Sequence, residues 1–143
     1  MAERLNILLV EDNFEHLRLT KYILEKSRVP GEIFVVRDGQ EAMDYLYQRN
    51  GYADAAAYPR PDLVLLDFNI PRIDGKEVLR TMKGDAQLRD IPVVVVSSSS
   101  RQEDVSYAQD MGASAYISKS AGFEQLSDAL SDICKFAKRD PSL

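Results

Sequence analysis

The sequence predicts an α/β fold, a doubly wound five-stranded parallel sheet of strand order 2-1-3-4-5 with five helices. Three observations carry that expectation. Short runs of branched aliphatic residues recur without polar alternation, as in strands covered on both faces. Segments with apolar residues at helical spacing separate these runs, so strand and helix alternate five times. The connections between them are short, which leaves right-handed crossovers as the route between parallel neighbours.

The first strand is Leu5 to Val10, and Phe14, Leu17, Thr20 and Leu24 mark the helix after it. Ile33 to Val36 is the second strand, followed by a helix through Ala42, Met43 and Leu46. The segment Gln48 to Pro61 contains Gly51, three consecutive alanines and Pro59-Arg60-Pro61, which predicts a long surface loop. Leu63 to Leu66 and Ile91 to Val96 are the third and fourth strands, with Val78 and Met82 on the helix between them. Val105, Ala108 and Met111 mark the fourth helix, and Ala115 to Ser118 is a weaker fifth strand. The last helix is expected to start near Phe123 or Glu124 and to run through Leu126, Leu130, Ile133 and Ala137 to the neighbourhood of Asp140-Pro141.

A length of 143 residues and a hydrophobic content of 45% suit one domain over residues 1–143, with no effector domain expected. The formal net charge of -5 argues against nucleic acid as a partner, because affinity for a phosphate backbone is built from clustered Lys and Arg. Cys134 is the single cysteine, so no internal disulfide or cysteine-based metal site forms. The apolar stretch near the N-terminus is too short for a signal-peptide core or a membrane span, which points to a cytoplasmic protein with no membrane partner.

In such a sheet the chemistry sits beyond the carboxyl ends of the strands, where strand order reverses. Glu11 and Asp12 follow the first strand and Asp67 follows the third, so three carboxylates converge on one crevice. Glu11 and Asp12 could instead cap the following helix, since acidic groups suit a helix N-terminus. Two further strand ends weigh against that simpler account: the fourth leads to Ser97, a hydroxyl donor, and the fifth to Lys119, a cation. Clustered carboxylates suit Mg²⁺, and acids, hydroxyl and lysine together are what phosphoryl transfer to a carboxylate requires.

Val10-Glu11-Asp12-Asn13, Leu65 to Pro71, Asp74-Gly75, Val96-Ser97 and Tyr116-Ile117-Ser118-Lys119 together resemble the receiver domains of response regulators in two-component systems, which are flavodoxin-like. The resemblance spans nearly the whole chain. It implies that Asp67 accepts a phosphoryl group from a histidine kinase, that Asp12 and Asp67 ligate Mg²⁺ directly, that Glu11 does so through water, and that the Asn69 backbone carbonyl completes the protein's share. It further implies that Ser97 and Lys119 hold the phosphoryl oxygens, that Tyr116 swings inward as a switch with Ser97, and that Asn69 and Ser99 tune the lifetime of the acyl phosphate. Most receivers have proline after the lysine, with a cis peptide between; here Ser120 follows Lys119, which leaves either a trans bond with an adjusted loop or a strained cis bond. The Lys-Ser-Ala run and the Gln48 to Pro61 segment make the chain similar to the small response regulators that partner phytochrome histidine kinases. The family also implies a homodimer through the last two helices and last strand.

Other residues suggest less. His16, the lone histidine, is expected at an exposed or capping position, and Cys134 in the packing of the last helix. Phe123, Phe136 and Tyr107 exceed the stripe needed to cover the sheet, as a partner surface would. An aspartyl-phosphate phosphatase would need a second Asp where Asn69 stands, and a flavodoxin-like phosphate cradle would be repelled by Glu11 and Asp12. A degenerate receiver acting by contact alone would lack an acid, the hydroxyl or the lysine, and none is missing. The expected protein is a signalling domain that modifies only itself, not an enzyme.

Overall fold

The computed structural model describes residues 5–29 and 31–137. Its sheet has the order β2-β1-β3-β4-β5, with every neighbouring pair parallel. The strands are β1 (Leu5–Val10), β2 (Gly31–Val36), β3 (Leu63–Leu66), β4 (Val93–Ser97) and β5 (Ala115–Ser118). β2 begins two residues before the expected Ile33. β4 begins two after the expected Ile91, because Pro92 has no N–H for a ladder and Ile91 closes a turn onto Leu88 instead.

Five α-helices alternate with the strands: α1 (Phe14–Lys26), α2 (Gly39–Leu46), α3 (Gly75–Gly84), α4 (Gln102–Asp110) and α5 (Phe123–Ser131). Asn13, Asp38 and Asp74 cap the first three, each side chain accepting the backbone N–H three residues on. The last helix is shorter than its apolar spacing predicts: α5 stops at Ser131, and a 3-10 turn over Ile133–Phe136 carries Ile133 into the core. The expected continuation to Asp140-Pro141 lies outside the described residues.

Strand residues alternate between two cores. Leu8, Val10, Val64, Leu66, Val93 and Val95 face α2, α3 and α4, whereas Ile7, Leu9, Leu63, Leu65, Val94 and Val96 face α1 and α5. Coverage on both faces explains why the strands read as continuous apolar runs.

The Gln48 to Pro61 segment holds no helix or strand but is anchored at several points. Tyr45 sits among Tyr52 and Tyr58 at ring-centroid distances of 5.3 and 5.9 Å and donates its hydroxyl to the Pro59 carbonyl at 2.9 Å. Asp44 accepts hydrogen bonds from Arg49 and Asn50 at the start of the segment.

Candidate functional site

The ladder hydrogen bonds run one residue past the strands at the carboxyl edge of the sheet. Glu11 N–H donates to Val36 O and Asp67 N–H to Val10 O, both at 3.1 Å, so two carboxylates are set on adjacent strand ends. Both are buried, at 2% and 5% exposure. Lys119, one residue beyond β5, reaches across to them. Its Nζ donates to Asp67 Oδ2 at 2.8 Å and to Glu11 Oε1. The other oxygens are held by backbone: Asp67 Oδ1 accepts Asn69 N–H at 2.9 Å, and Glu11 Oε2 accepts Asn13 N–H at 3.2 Å.

Two buried carboxylates outnumber one ammonium. Burial raises the Glu11 carboxyl to about 7; the hydrogen bond from Lys119 opposes that rise and the charge of Asp67 adds to it. The pocket is short of positive charge.

Of the three acids expected together, Glu11 and Asp67 meet. The third member of their group is His16: ligand atoms of Glu11, His16 and Asp67 lie within 4.8 Å of one another, and half-buried Asp12 is outside that set. His16 therefore departs from expectation. Its backbone N–H does meet the Asn13 cap at 3.0 Å, but its ring is half-buried, with Nδ1 3.1 Å from Lys119 Nζ. The Asn13 cap fixes where the His16 backbone starts the helix, but no signal in the sequence pairs its ring with Lys119.

Ser97 is fully buried at the end of β4, opposite Ser118 in register, and its Oγ accepts the Ser99 N–H at 3.4 Å. Ser99 ties the following loop to two elements. Its hydroxyl donates to Asp104 on α4, and its carbonyl accepts the Tyr116 hydroxyl at 2.6 Å. The Tyr116 ring stands edge-on to Phe68 at 6.0 Å. Asp104 also meets Lys76 of α3 at 2.5 Å; the Lys76 hydrogen bond first, then that of Ser99, lowers its carboxyl to about 2. Lys76 in turn lies over the rings of Phe68 and Tyr107. Tyr107 is thus no surplus aromatic: its hydroxyl donates to Lys76 O at 3.1 Å and its ring packs on Phe68.

Asn69 is exposed on the loop after Asp67. Gly75 brings α3 against that loop, since a Cβ there would lie 2.2 Å from Asp67 O. The Lys119-Ser120 peptide is trans; the chain adjusts through a 3-10 turn over Lys119–Ala121, with Ser118 Oγ accepting Ser120 N–H. Cys134 falls in the later 3-10 turn and packs against the core beneath α1 and α5.

The family model of the response regulator receiver domain matches residues 7–131. The response regulator Rcp1 of Synechocystis is 39% identical over 120 residues, 84% of this chain and 80% of its own length. A crystal structure of the phosphorylated cyanobacterial phytochrome response regulator RcpA is 46% identical, covers 93% of each chain and superposes with a TM-score of 0.82. The Mn²⁺-bound form of Rcp1 is 37% identical, with 92% of this chain and 93% of that one covered, at a TM-score of 0.81. With a family model that matches most of the chain, a relative 39% identical over 84% of it and solved structures of the same fold, this chain belongs to the response regulator receiver domain family.

Proposed function

We propose that the chain accepts a phosphoryl group on Asp67 from a histidine kinase, with Mg²⁺, and transmits the change through a partner or dimer surface. The observation that carries this reading is the buried Lys119 ammonium held on the Asp67 carboxylate, a cation ready to receive new negative charge. The two close relatives, one phosphorylated and one Mn²⁺-bound, support it.

The residues present fit a divalent cation, because two buried carboxylates exceed the one ammonium in charge. Asp67, Asp12, Glu11 through water and the Asn69 carbonyl would hold it. When bound, the ion offsets charge on the transferring phosphoryl oxygens. An Asp67 carboxylate oxygen forms its bond to phosphorus as the P–N bond of phosphohistidine breaks. The imidazole leaves with the electron pair and takes up a proton, and Asp67 becomes an acyl phosphate. Ser97 donates its hydroxyl to one phosphoryl oxygen, Lys119 pairs with another, and Tyr116 leaves the Ser99 carbonyl to turn inward. Hydrolysis, at a rate tuned by Asn69 and Ser99, returns the carboxylate. No independent substrate is turned over, so the chain signals without being an enzyme.

The kinase is a phytochrome by similarity to RcpA, whose description as a phytochrome response regulator supports that pathway. Phe123, 55% exposed at the start of α5, supports the face of α4, β5 and α5 as the homodimer surface.

The test is incubation with acetyl phosphate and Mg²⁺, followed by intact mass measurement of wild type and Asp67→Asn. One added phosphoryl group, dependent on Mg²⁺ and missing from the variant, is expected. No adduct on a folded wild-type protein would leave a receiver that acts by contact alone.

A further inference from the structure

An ammonium has three N–H bonds to donate, and Lys119 has three acceptors around it: Glu11 Oε1, Asp67 Oδ2 and His16 Nδ1. The Lys119 side chain is only 8% exposed, so water has little room to replace any of them. Two acceptors are acids of the sheet edge; the third comes from α1 and is neutral when it accepts. Since an ammonium cannot accept, the contact requires the lone pair on Nδ1 and the proton on Nε2.

We propose that His16 is a positioning residue for phosphoryl transfer: its Nδ1 accepts the third N–H of Lys119 and holds the ammonium at Asp67. The proposal rests on the reading of Asp67 as phosphoacceptor. Local structure supports the assignment. Asn13 caps α1 through the backbone N–H of His16 itself, so the ring is carried by a residue whose backbone is fixed at 3.0 Å from the cap. Leu17, the next residue, and Thr20, one turn on, are buried and anchor the same helix against the sheet.

An imidazole suits this place better than a third carboxylate. Lys119 must remain at the site yet turn part of its hydrogen bonding to an incoming dianion. A carboxylate there would attract the ammonium as a full opposite charge and compete with the phosphoryl oxygens for it, whereas the bond to imidazole is charge-assisted from the donor side alone. A neutral acceptor orients the ammonium without adding to a site already rich in negative charge.

Two substitutions separate this role from simple packing. His16→Asn places an amide oxygen at the branch point occupied by Nδ1, and His16→Leu removes the acceptor while keeping bulk. In ¹⁵N-lysine-labelled protein, the slowly exchanging ammonium signal of Lys119, assigned by its loss in Lys119→Met, should persist in wild type and His16→Asn and vanish in His16→Leu. Labelling by acetyl phosphate should slow at least fivefold in His16→Leu and recover in His16→Asn, with Mn²⁺ affinity, read by electron paramagnetic resonance, the same in all three. A His16→Leu protein with the signal intact and labelling unchanged overturns the proposal. So does a parallel loss of Mn²⁺ affinity in both variants, which would make His16 a metal ligand. If wild type takes no phosphoryl group, the Asp67 reading fails and the ammonium signal alone decides whether His16 holds Lys119.

Discussion

A methyl group at position 75 would stand 2.2 Å from Asp67 O and 2.5 Å from Phe68 Cα, both backbone atoms that cannot swing aside. Glycine here is a requirement of distance: α3 must start against the chain that carries Asp67. Gly75→Ala is expected to cost about 1–3 kcal/mol in chemical denaturation and to slow labelling of Asp67 by about ten- to a hundredfold, as small misplacements of reacting groups do. Gly84, at the other end of α3, has open space for 4 Å around the place a Cβ would take and serves as the control. Its change to alanine is expected to stabilise the helix by roughly 0.5 kcal/mol. Equal effects at the two sites would sink the argument. Glu11 makes a second prediction. Its carboxyl, at about 7 when folded against an ordinary 4.5, binds a proton more tightly in the folded state. The stability that this carboxyl contributes in the absence of divalent cation is therefore fully present below about 4.5 and is lost as pH rises through about 7. Glu11→Gln lacks this loss, so in chelator its unfolding free energy from urea denaturation should gain on wild type between pH 5 and pH 8 by on the order of 2 kcal/mol. A gap that does not change with pH would count against the buried, uncompensated carboxylate.

Between elements, Asp104 is the joint. It links the first turn of α4 to Lys76 on α3 and to Ser99 in the loop that leaves β4, while Tyr116 of β5 holds the Ser99 carbonyl. Its carboxyl, at about 2 against an ordinary 3.8, contributes stability above about 3.8 that disappears as pH falls toward 2. Asp104→Asn should cost about 1–3 kcal/mol at pH 7, converge with wild type near pH 2, and speed amide hydrogen exchange in residues 98–104. Unchanged exchange there would show that Ser99 and Tyr116 hold the loop without it. This joint was not legible in the sequence, where Asp104 is one acid among several on a polar helix and Lys76 an ordinary lysine. Pairings between helices depend on side-chain reach across a finished fold. The strand ends were legible, since a buried parallel strand must be apolar and its first polar residue marks the edge: Glu11, Asp67 and Ser97 all sit there. Helix ends were harder. Leu126, Leu130 and Ile133 share one stripe, yet the turn after Asp132 tightens to 3-10 and still buries Ile133, so spacing alone could not show the break.

For the molecule as a whole, the sheet order could be read because five alternations with short connections leave few topologies, and the two-sided cores then follow from strand alternation. His16 could not, because a lone histidine on a helix has no partner until α1 is laid across the sheet edge beside Lys119. That crossing makes the site a property of the folded chain: the residues just past β1, β3 and β5 are Glu11, Asp67 and Lys119, α1 supplies His16, and an unfolded chain offers no such group. A divalent cation that binds only the folded state must stabilise it, by about 2.7 kcal/mol at a hundred times its Kd. For a chain of this size that corresponds to a rise in Tm of roughly 5–10 °C. Thermal unfolding followed by circular dichroism in chelator and in excess Mg²⁺ should show this rise in wild type. It should shrink in Glu11→Gln and largely vanish in Asp67→Asn, although both variants, with fewer buried charges, should melt higher than wild type in chelator. The opposite ordering of the two conditions is the diagnostic, because a mutation that merely damaged the fold would lower Tm in both. A wild-type Tm indifferent to Mg²⁺ at saturating concentration would mean that Lys119 alone balances the carboxylates and that the cation has no place at this edge.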